Sequence, residues 1–359
     1  MKVMIVSTVG LIYDGITSVI LSYLQFMELS DIEIYIAGTI KVEASIRKKL
    51  EEQGFKIVDF PSRRKNTFNY FFSLVKFLRQ NHVNVIHAHG NSGTLAIEML
   101  AGWLGGCNNR IAHSHNTRCD QVMADKMLRP ILYLNYTKAV ACGVEAGKWL
   151  FNNKPFIVLA NGRNIGNFAF NSVTRDAVRN QYGISNELAI GHVGGFFEQK
   201  NHKFLLEVYR AILQQEPTAK LFMIGDGPLK ERMELDATDI MQNVIFTGTT
   251  DRVADYLQAM DGMLLPSLFE GFPLVALEWQ INGLPCLLAD TITKDCAITD
   301  AVEFMSLNER ASVWATRIID KAKNNNREER ARIGIFKMQE AGFDIRDSSA
   351  ILKKIYLEG

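Results

Sequence analysis

Ser267-Leu-Phe-Glu270-Gly-Phe-Pro-Leu-Val-Ala-Leu-Glu278 sets two glutamates eight residues apart around Gly271, Phe272 and Pro273. An apolar run, 262–266, enters this stretch, and a helical pattern leaves it and stops at Gly283-Leu-Pro285. Pro273 suits a first helical turn, having no N–H to leave unpaired and a preset φ. The N–H groups of Phe272, Leu274 and Val275 then point outward with the helix dipole, an arrangement that holds phosphate. Glu270 precedes the helix and can reach a group beyond that phosphate. Glu278 lies a turn and a half inside and can accept hydrogen bonds from a diol such as a ribose. The plain alternative is a turn and a helix with two solvated glutamates.

Working outward, short apolar runs alternate with helical patterns along the chain. Strands are expected at 3–7, 32–37, 56–60, 83–87, 111–114, 139–142 and 156–159, then at 188–193, 220–224, 244–246, 262–265 and 285–289. Helices are expected among other places at 17–28, 69–79, 204–213, 252–259, 274–281 and 311–323. In the second of these Leu74, Val75 and Leu78 form an apolar face at helical spacing. Such alternation predicts parallel sheets covered on both faces, an α/β fold. The stretch Ala160-Asn-Gly-Arg-Asn-Ile-Gly-Asn167 is aperiodic and is read as the connection between two domains, 1–164 and 165–344. A last helix, about 348–357 within 345–359, is expected to pack back on the first domain. Two doubly wound domains bind ligands at the carboxyl ends of their strands, here in an interdomain cleft.

A chain of 359 residues has room for two such domains. Lys and Arg total 40 against 39 Asp and Glu, and this balance argues against a nucleic-acid partner. Cys107, Cys119, Cys142, Cys286 and Cys296 stand singly, with no metal or disulfide spacing, which predicts reduced thiols in a cytoplasmic protein. Cys142 and Cys286 lie in apolar runs and are expected to pack there. Residues 1–8 read as a buried strand and not a signal peptide, because only four apolar residues follow Lys2. No apolar run reaches membrane-spanning length.

A second stretch, Gly191-His-Val-Gly194-Gly195-Phe-Phe-Glu198-Gln199-Lys200-Asn201-His202, follows a strand and opens a helix. Its glycines permit close backbone approach to a ligand, and Lys200 offers a point charge for phosphate. Taken with Glu270 and Glu278, it makes the chain resemble the family-four retaining glycosyltransferases of the GT-B fold, over nearly its whole length. The resemblance implies that Lys200 and the N–H groups at 272–275 hold the donor diphosphate, Glu270 the donor sugar and Glu278 the ribose. The family usually places an arginine where this chain has Gly195. Either another cation replaces it, with Arg163 and Arg252 as candidates, or catalysis is weakened.

Other stretches resemble family landmarks. Val9-Gly10 through Tyr13-Asp14-Gly15-Ile16 resembles the glycine loop after the first strand, with Asp14 in a usual glycine place. Gly225-Asp226-Gly227-Pro228 and Phe246-Thr247-Gly248 resemble loops around the nucleotide base. Val85-Ile-His87-Ala-His89-Gly90 and Arg110-Ile-Ala-His113-Ser-His115-Asn116 resemble strands that end near the acceptor or donor sugar. By that resemblance His115, and after it His113, hydrogen-bonds sugar or acceptor. The His-x-His pairs point their rings to one face. No carboxylate or cysteine stands near them in sequence to complete a site, so no metal or other cofactor is expected. His192 is expected in the core, and His82 and His202 on the surface. Arg63-Arg64-Lys65 precedes the amphipathic 69–79 helix, and basic charge beside an apolar stripe can dock on anionic lipid. The alternative is an ordinary packed helix beside a solvated loop.

Together these readings predict a retaining hexosyltransferase. It would move sugar from a nucleotide diphosphate sugar, with UDP as the expected carrier, to a glycan or lipid-linked acceptor in capsule or exopolysaccharide synthesis. The expected place is the cytoplasm or the inner face of its membrane. A catalytically weak partner subunit and a sugar-nucleotide epimerase are the rival expectations.

Overall fold

Every paired strand among the described residues runs parallel to its neighbours, in two sheets. The structure is a computed structural model that describes residues 1–324 and 326–358. Contacts divide the chain into two units, Met1–Gly162 with the C-terminal segment from Gly342, and Arg163–Ala341.

In the first unit the strands are β1 (Lys2–Ser7), β2 (Glu33–Gly38), β3 (Lys56–Asp59), β4 (Val85–Gly90), β5 (Asn109–Ser114), β6 (Lys138–Ala141) and β7 (Ile157–Val158). Their order is β3-β2-β1-β4-β5-β6-β7. Strand order therefore reverses between β1 and β4, where ligands bind in doubly wound sheets. Val3, Met4, Val6, Ile86, Ala88 and Ala112 are buried, as near-continuous apolar strands covered by helices require. The helix Gly15–Phe26 starts where Asp14 caps it, accepting from the Thr17 N–H at 2.8 Å. The C-terminal helix Ile345–Leu357 packs against it, and Asn109 on β5 donates to the Ile355 carbonyl at 2.8 Å.

In the second unit the strands are β8 (Ala189–Val193), β9 (Lys220–Ile224), β10 (Val244–Gly248), β11 (Gly262–Leu265), β12 (Cys286–Ala289) and β13 (Val302–Met305). The order β10-β9-β8-β11-β12-β13 reverses between β8 and β11. A buried core of Ile190, Leu221, Phe222, Leu264, Trp279 and Trp314 fills both sides of the sheet. The strand β13 and the helices Ser172–Gln181 and Arg327–Glu340 were not expected from the sequence. Among the described residues, no helix is long and apolar enough to cross a membrane.

Two expectations need correction here. Arg63 is not part of a solvated basic cluster. It is buried, its guanidinium 2.7 Å from Glu98, whose carboxylate also accepts from Tyr70 at 3.0 Å. His202 is not a surface residue. As the first residue of the helix His202–Gln215 it lies on the same face as Leu205, Leu206 and Tyr209, and its ring stacks on Phe196 at 4.3 Å.

Candidate functional site

In the second unit the loops leaving β8 and β11, the strands flanking the reversal of order, meet through side chains. Lys200 closes a short turn, Glu198–Lys200, and its Nζ lies 2.6 Å from Glu270 Oε1. Ser267 donates to the same oxygen at 2.8 Å, and Gln199 to the other at 3.3 Å. Two further bonds tie the loops. The Leu268 N–H donates to the Gln199 carbonyl at 2.8 Å, and Asn201 donates to the Pro266 carbonyl at 3.1 Å. Both charged groups are largely buried, with side-chain exposures of 17% for Lys200 and 10% for Glu270. The carboxylate is therefore fixed before any ligand arrives, while an ammonium has three donors and spends one here.

Directly after Glu270 the chain starts the helix Leu274–Ile281. Pro273 is its cap, with ψ at 101°, one residue ahead of the expected place in the first turn. The N–H groups of Leu274 and Val275 have no acceptor within the helix by geometry and carry its positive end. Glu278, one and a half turns on, is buried and pairs with Arg163 of the same unit at 3.0 Å. Burial raises its carboxyl above the ordinary value, although Arg163 pulls the other way. Arg163 is thus engaged with Glu278, and Arg252 with Asp255 at 2.9 Å at the surface. Each of the two arginines suggested as a replacement at Gly195 already faces a carboxylate.

The glycines of this unit lock its loops together. A Cβ on Gly225 would lie 2.1 Å from the Gly194 carbonyl oxygen, and one on Gly227 2.6 Å from the Phe196 nitrogen. Both have positive φ, as does Gly248, which bridges to Gly225. At Gly195 the neighbour is softer. A Cβ there would lie 2.7 Å from the ring of Phe197, which is 53% exposed. Beneath this loop His192 Nδ1 lies 2.9 Å from the Leu264 carbonyl, as a core histidine should.

In the first unit, Gly15 sits exposed at the first turn of its helix with nothing within 4 Å of an added Cβ. The constrained glycine of that loop is Gly10, at φ 92°, where a Cβ would meet the Lys41 carbonyl at 2.6 Å.

The histidines of β4 and β5 form an array in this unit. His89 pairs with His113 in register, and His115 lies just beyond the strand end. His87 Nε2 faces His113 Nδ1 at 3.1 Å, with centroids 5.3 Å apart and planes within 5°. This is an edge-to-edge hydrogen-bonded pair. His89 Nδ1 faces His115 Nε2 at 2.9 Å with centroids 5.1 Å apart, a second such pair. The pairs lie one over the other, His87 on His89 at 4.0 Å and His113 on His115 at 4.1 Å. Tyr356 from the C-terminal helix closes the inner layer, its hydroxyl 2.8 Å from His87 Nδ1.

One nitrogen each of His87, His89 and His113 lies within 4.8 Å of the others, so the two His-x-His pairs do bring three possible ligands together. Yet His87 faces Tyr356 and His113 through its two nitrogens, and His89 faces His115, so these nitrogens are already turned to hydrogen-bond partners. The arrangement fits hydrogen bonding better than coordination. Burial holds all four rings well below the usual imidazole value, His115 at about 3. His115 is therefore neutral near pH 7. Its Nε2 faces His89 Nδ1, and which of the two carries the proton sets the tautomer of the His115 ring.

Residues 187–320 match the family described as glycosyl transferases group 1. Over 288 residues the chain is 33% identical to the putative glycosyltransferase EpsF of Bacillus subtilis, covering 76% of this chain and 74% of that protein. Over 243 residues it is 25% identical to the Escherichia coli UDP-Gal:alpha-D-GlcNAc-diphosphoundecaprenol alpha-1,3-galactosyltransferase, covering 63% and 62%. The crystal structure of Anabaena HepE in complex with UDP superimposes over all of both chains with a TM-score of 0.81 at 14% identity, a likeness of fold.

Proposed function

The chain belongs to the group 1 glycosyltransferases, with the GT-B fold, and we propose that it is a retaining hexosyltransferase using a UDP-sugar. Its acceptor is a glycan or lipid-linked hydroxyl in polysaccharide biosynthesis, reached from the cytoplasm. The observation that carries this reading is the Lys200–Glu270 pair set against the start of the helix Leu274–Ile281. A cation and a helix N-terminus side by side suit a diphosphate, and a fixed carboxylate suits a sugar hydroxyl. The UDP in the Anabaena structure and the UDP-galactose and lipid diphosphate in the name of the Escherichia coli relative support the choice of donor and acceptor.

In the proposed reaction the acceptor oxygen bonds to the anomeric carbon on the face from which the diphosphate oxygen departs. The acceptor proton passes to that departing oxygen. Lys200 and the N–H groups at 272–275 stabilise the charge that develops there, and no metal is called for. Glu270 orients the donor sugar, Glu278 the ribose through the oxygen not facing Arg163, and His115 the sugar or acceptor. The loops at Gly15, Gly194, Gly195, Gly225, Gly227, Gly248 and Gly271 let backbone approach the donor.

The test is transfer from UDP-, GDP- and ADP-sugars to a lipid-diphosphate acceptor, with product anomers read by NMR. Transfer from a UDP-sugar with retention is the expected result. An inverted product ends the retaining reading, and interconversion of UDP-sugars without acceptor would identify an epimerase instead.

Gly195 favours one rival, the weak partner subunit, and makes a separate prediction. Its backbone is not in the left-handed region, and the exposed Phe197 ring can swing aside. Gly195→Arg is therefore expected to fold and to raise kcat/KM about tenfold, the equivalent of ~1.4 kcal/mol from one charge-assisted contact. No gain, with good activity in the parent, means that the missing arginine is no handicap.

A further inference from the structure

The helices Thr67–Gln80, Ala96–Gly105 and Val122–Asn135 lie side by side on the first unit. Between them runs an open groove of about 350 Å³ lined by Phe68, Phe71, Ile97, Leu100, Leu128 and Ile131. Its rim is apolar as well. Phe68 and Phe72 hold their rings 4.6 Å apart in solvent, and Met127 and Leu134 are 71% and 83% exposed. A soluble surface seldom gathers so many large apolar side chains unless something covers them.

The charges point to the cover. These three helices carry two carboxylates, Glu98 and Asp125, in a chain with nearly equal acids and bases. Both are buried and held inside, Glu98 by Arg63 and Asp125 by Arg129 at 2.9 Å and the Gly93 N–H at 2.7 Å. The charges these helices leave in solvent include Lys76, Arg79 and Lys126, all positive, and Arg64 and Lys65 precede the first of them, also exposed. The face thus combines apolar insertion with positive charge; the three helices expose no acid among their own residues, although Asp120, two residues ahead of the third, is exposed. A protein partner needs no such one-sided charge, whereas an anionic lipid surface attracts it.

We propose that this face docks on an anionic bilayer. Phe68, Phe72, Met127 and Leu134 enter the headgroup–acyl boundary, and Lys65, Lys76 and Lys126 face the phosphates. The buried Arg63 is not among the docking cations. Its ion pair holds Glu98 inside and keeps that charge off the face. The proposal is independent of the donor-site assignments and stands if those fail.

The test is flotation of the full chain with vesicles of phosphatidylcholine alone and with added phosphatidylglycerol, without nucleotide sugar. Binding is expected with the anionic vesicles, falling as salt rises. Lys65→Gln and Lys126→Gln should each weaken it about fivefold. The double variant Phe68→Ser/Phe72→Ser should weaken it at least about tenfold with an unchanged melting temperature, since both rings are exposed. Equal binding to neutral vesicles, no binding to either, or unchanged binding by the variants overturns the proposal. So does a concentration-dependent dimer abolished by Phe68→Ser/Phe72→Ser, which would assign the groove to a second copy of this chain.

Discussion

Replacing Lys200 with methionine is expected to lower kcat/KM for sugar transfer by about 10²- to 10³-fold, the usual loss when one preorganised charge-stabilising group is removed. The fold should survive, because Glu270 keeps Ser267 at 2.8 Å and Gln199 at 3.3 Å as donors, so no bare buried carboxylate remains. Most of the loss should fall on kcat if the ammonium acts on charge that develops as the diphosphate leaves. A rise in KM with little change in kcat would mean that Lys200 binds donor and transition state alike. Glu270→Gln separates the two members of the pair. It keeps the shape and frees Lys200 from its counter-charge at 2.6 Å, so donor affinity should hold or rise while transfer falls. The measurement is steady-state transfer of labelled sugar, with UDP affinity from calorimetry. Activity of the Lys200 variant within threefold of the parent would remove the lysine from the mechanism.

Glu278 needs a different substitution. Its partner Arg163 is buried with it at 3.0 Å, so Glu278→Ala would take a carboxylate from a buried guanidinium, and any loss would mix stability with ribose binding. Glu278→Gln retains a polar group against Arg163 and is the cleaner probe of the ribose role.

How far the sequence could be read depended on what each residue packs against. Apolar strands such as 3–6 and 262–265 announce themselves, because both faces of a doubly wound sheet are covered. The strand β13 did not, because its four residues are only half buried and Glu303 stands among them, paired to Arg317 and Lys321. The helices Ser172–Gln181 and Arg327–Glu340 also went unread. Arg175, Arg179 and Arg327 on them turn inward to the carbonyls that end the helix Val253–Ala259. Arg327 reaches that of Leu257 at 2.6 Å, Arg179 that of Ala259 at 3.0 Å and Arg175 that of Met260 at 2.9 Å. Hydropathy counts such arginines as surface, although capping carbonyls is a reason to bury one. Arg63 was misread for the same cause. At the site, Lys200 and Glu270 were legible as motif members, but their contact over seventy residues was not. Nor was the pairing of Glu278 with Arg163, whose partner lies 115 positions away. The histidine array was legible only as two His-x-His pairs. Their neighbourhood followed from the pairing of β4 with β5, but the hydrogen bonds that engage the ring nitrogens depend on ring orientations that spacing does not encode.

That array makes the chain acid-sensitive. His87, His89 and His113 titrate well below 6.5 in the folded state and His115 at about 3, in each case chiefly because burial disfavours the charged ring. In the unfolded chain they return to about 6.5. Between these values the unfolded state binds more protons than the folded one, so stability is intact above pH 6.5 and falls as pH drops below it. One unit below, each ring costs about 1.4 kcal/mol, and four cost roughly 5 to 6 kcal/mol, comparable with the whole stability of many domains. His192 and His202, the latter at about 4, add the same sign in the second unit. Asp14 and Glu278, raised by burial, oppose the trend without matching the number of rings. The first unit is therefore expected to unfold near pH 5 while remaining stable at pH 7.5, as followed by urea titrations at pH 7.5, 6.5 and 5.5. His113→Asn, which can keep a donor toward His87, should reduce the change in unfolding free energy between pH 7.5 and 5.5 by about 1.4 kcal/mol. Stability that stays level from pH 7.5 to 5 would show that the folded array accepts protons, and would make the neutral, hydrogen-bonding role of His115 untenable.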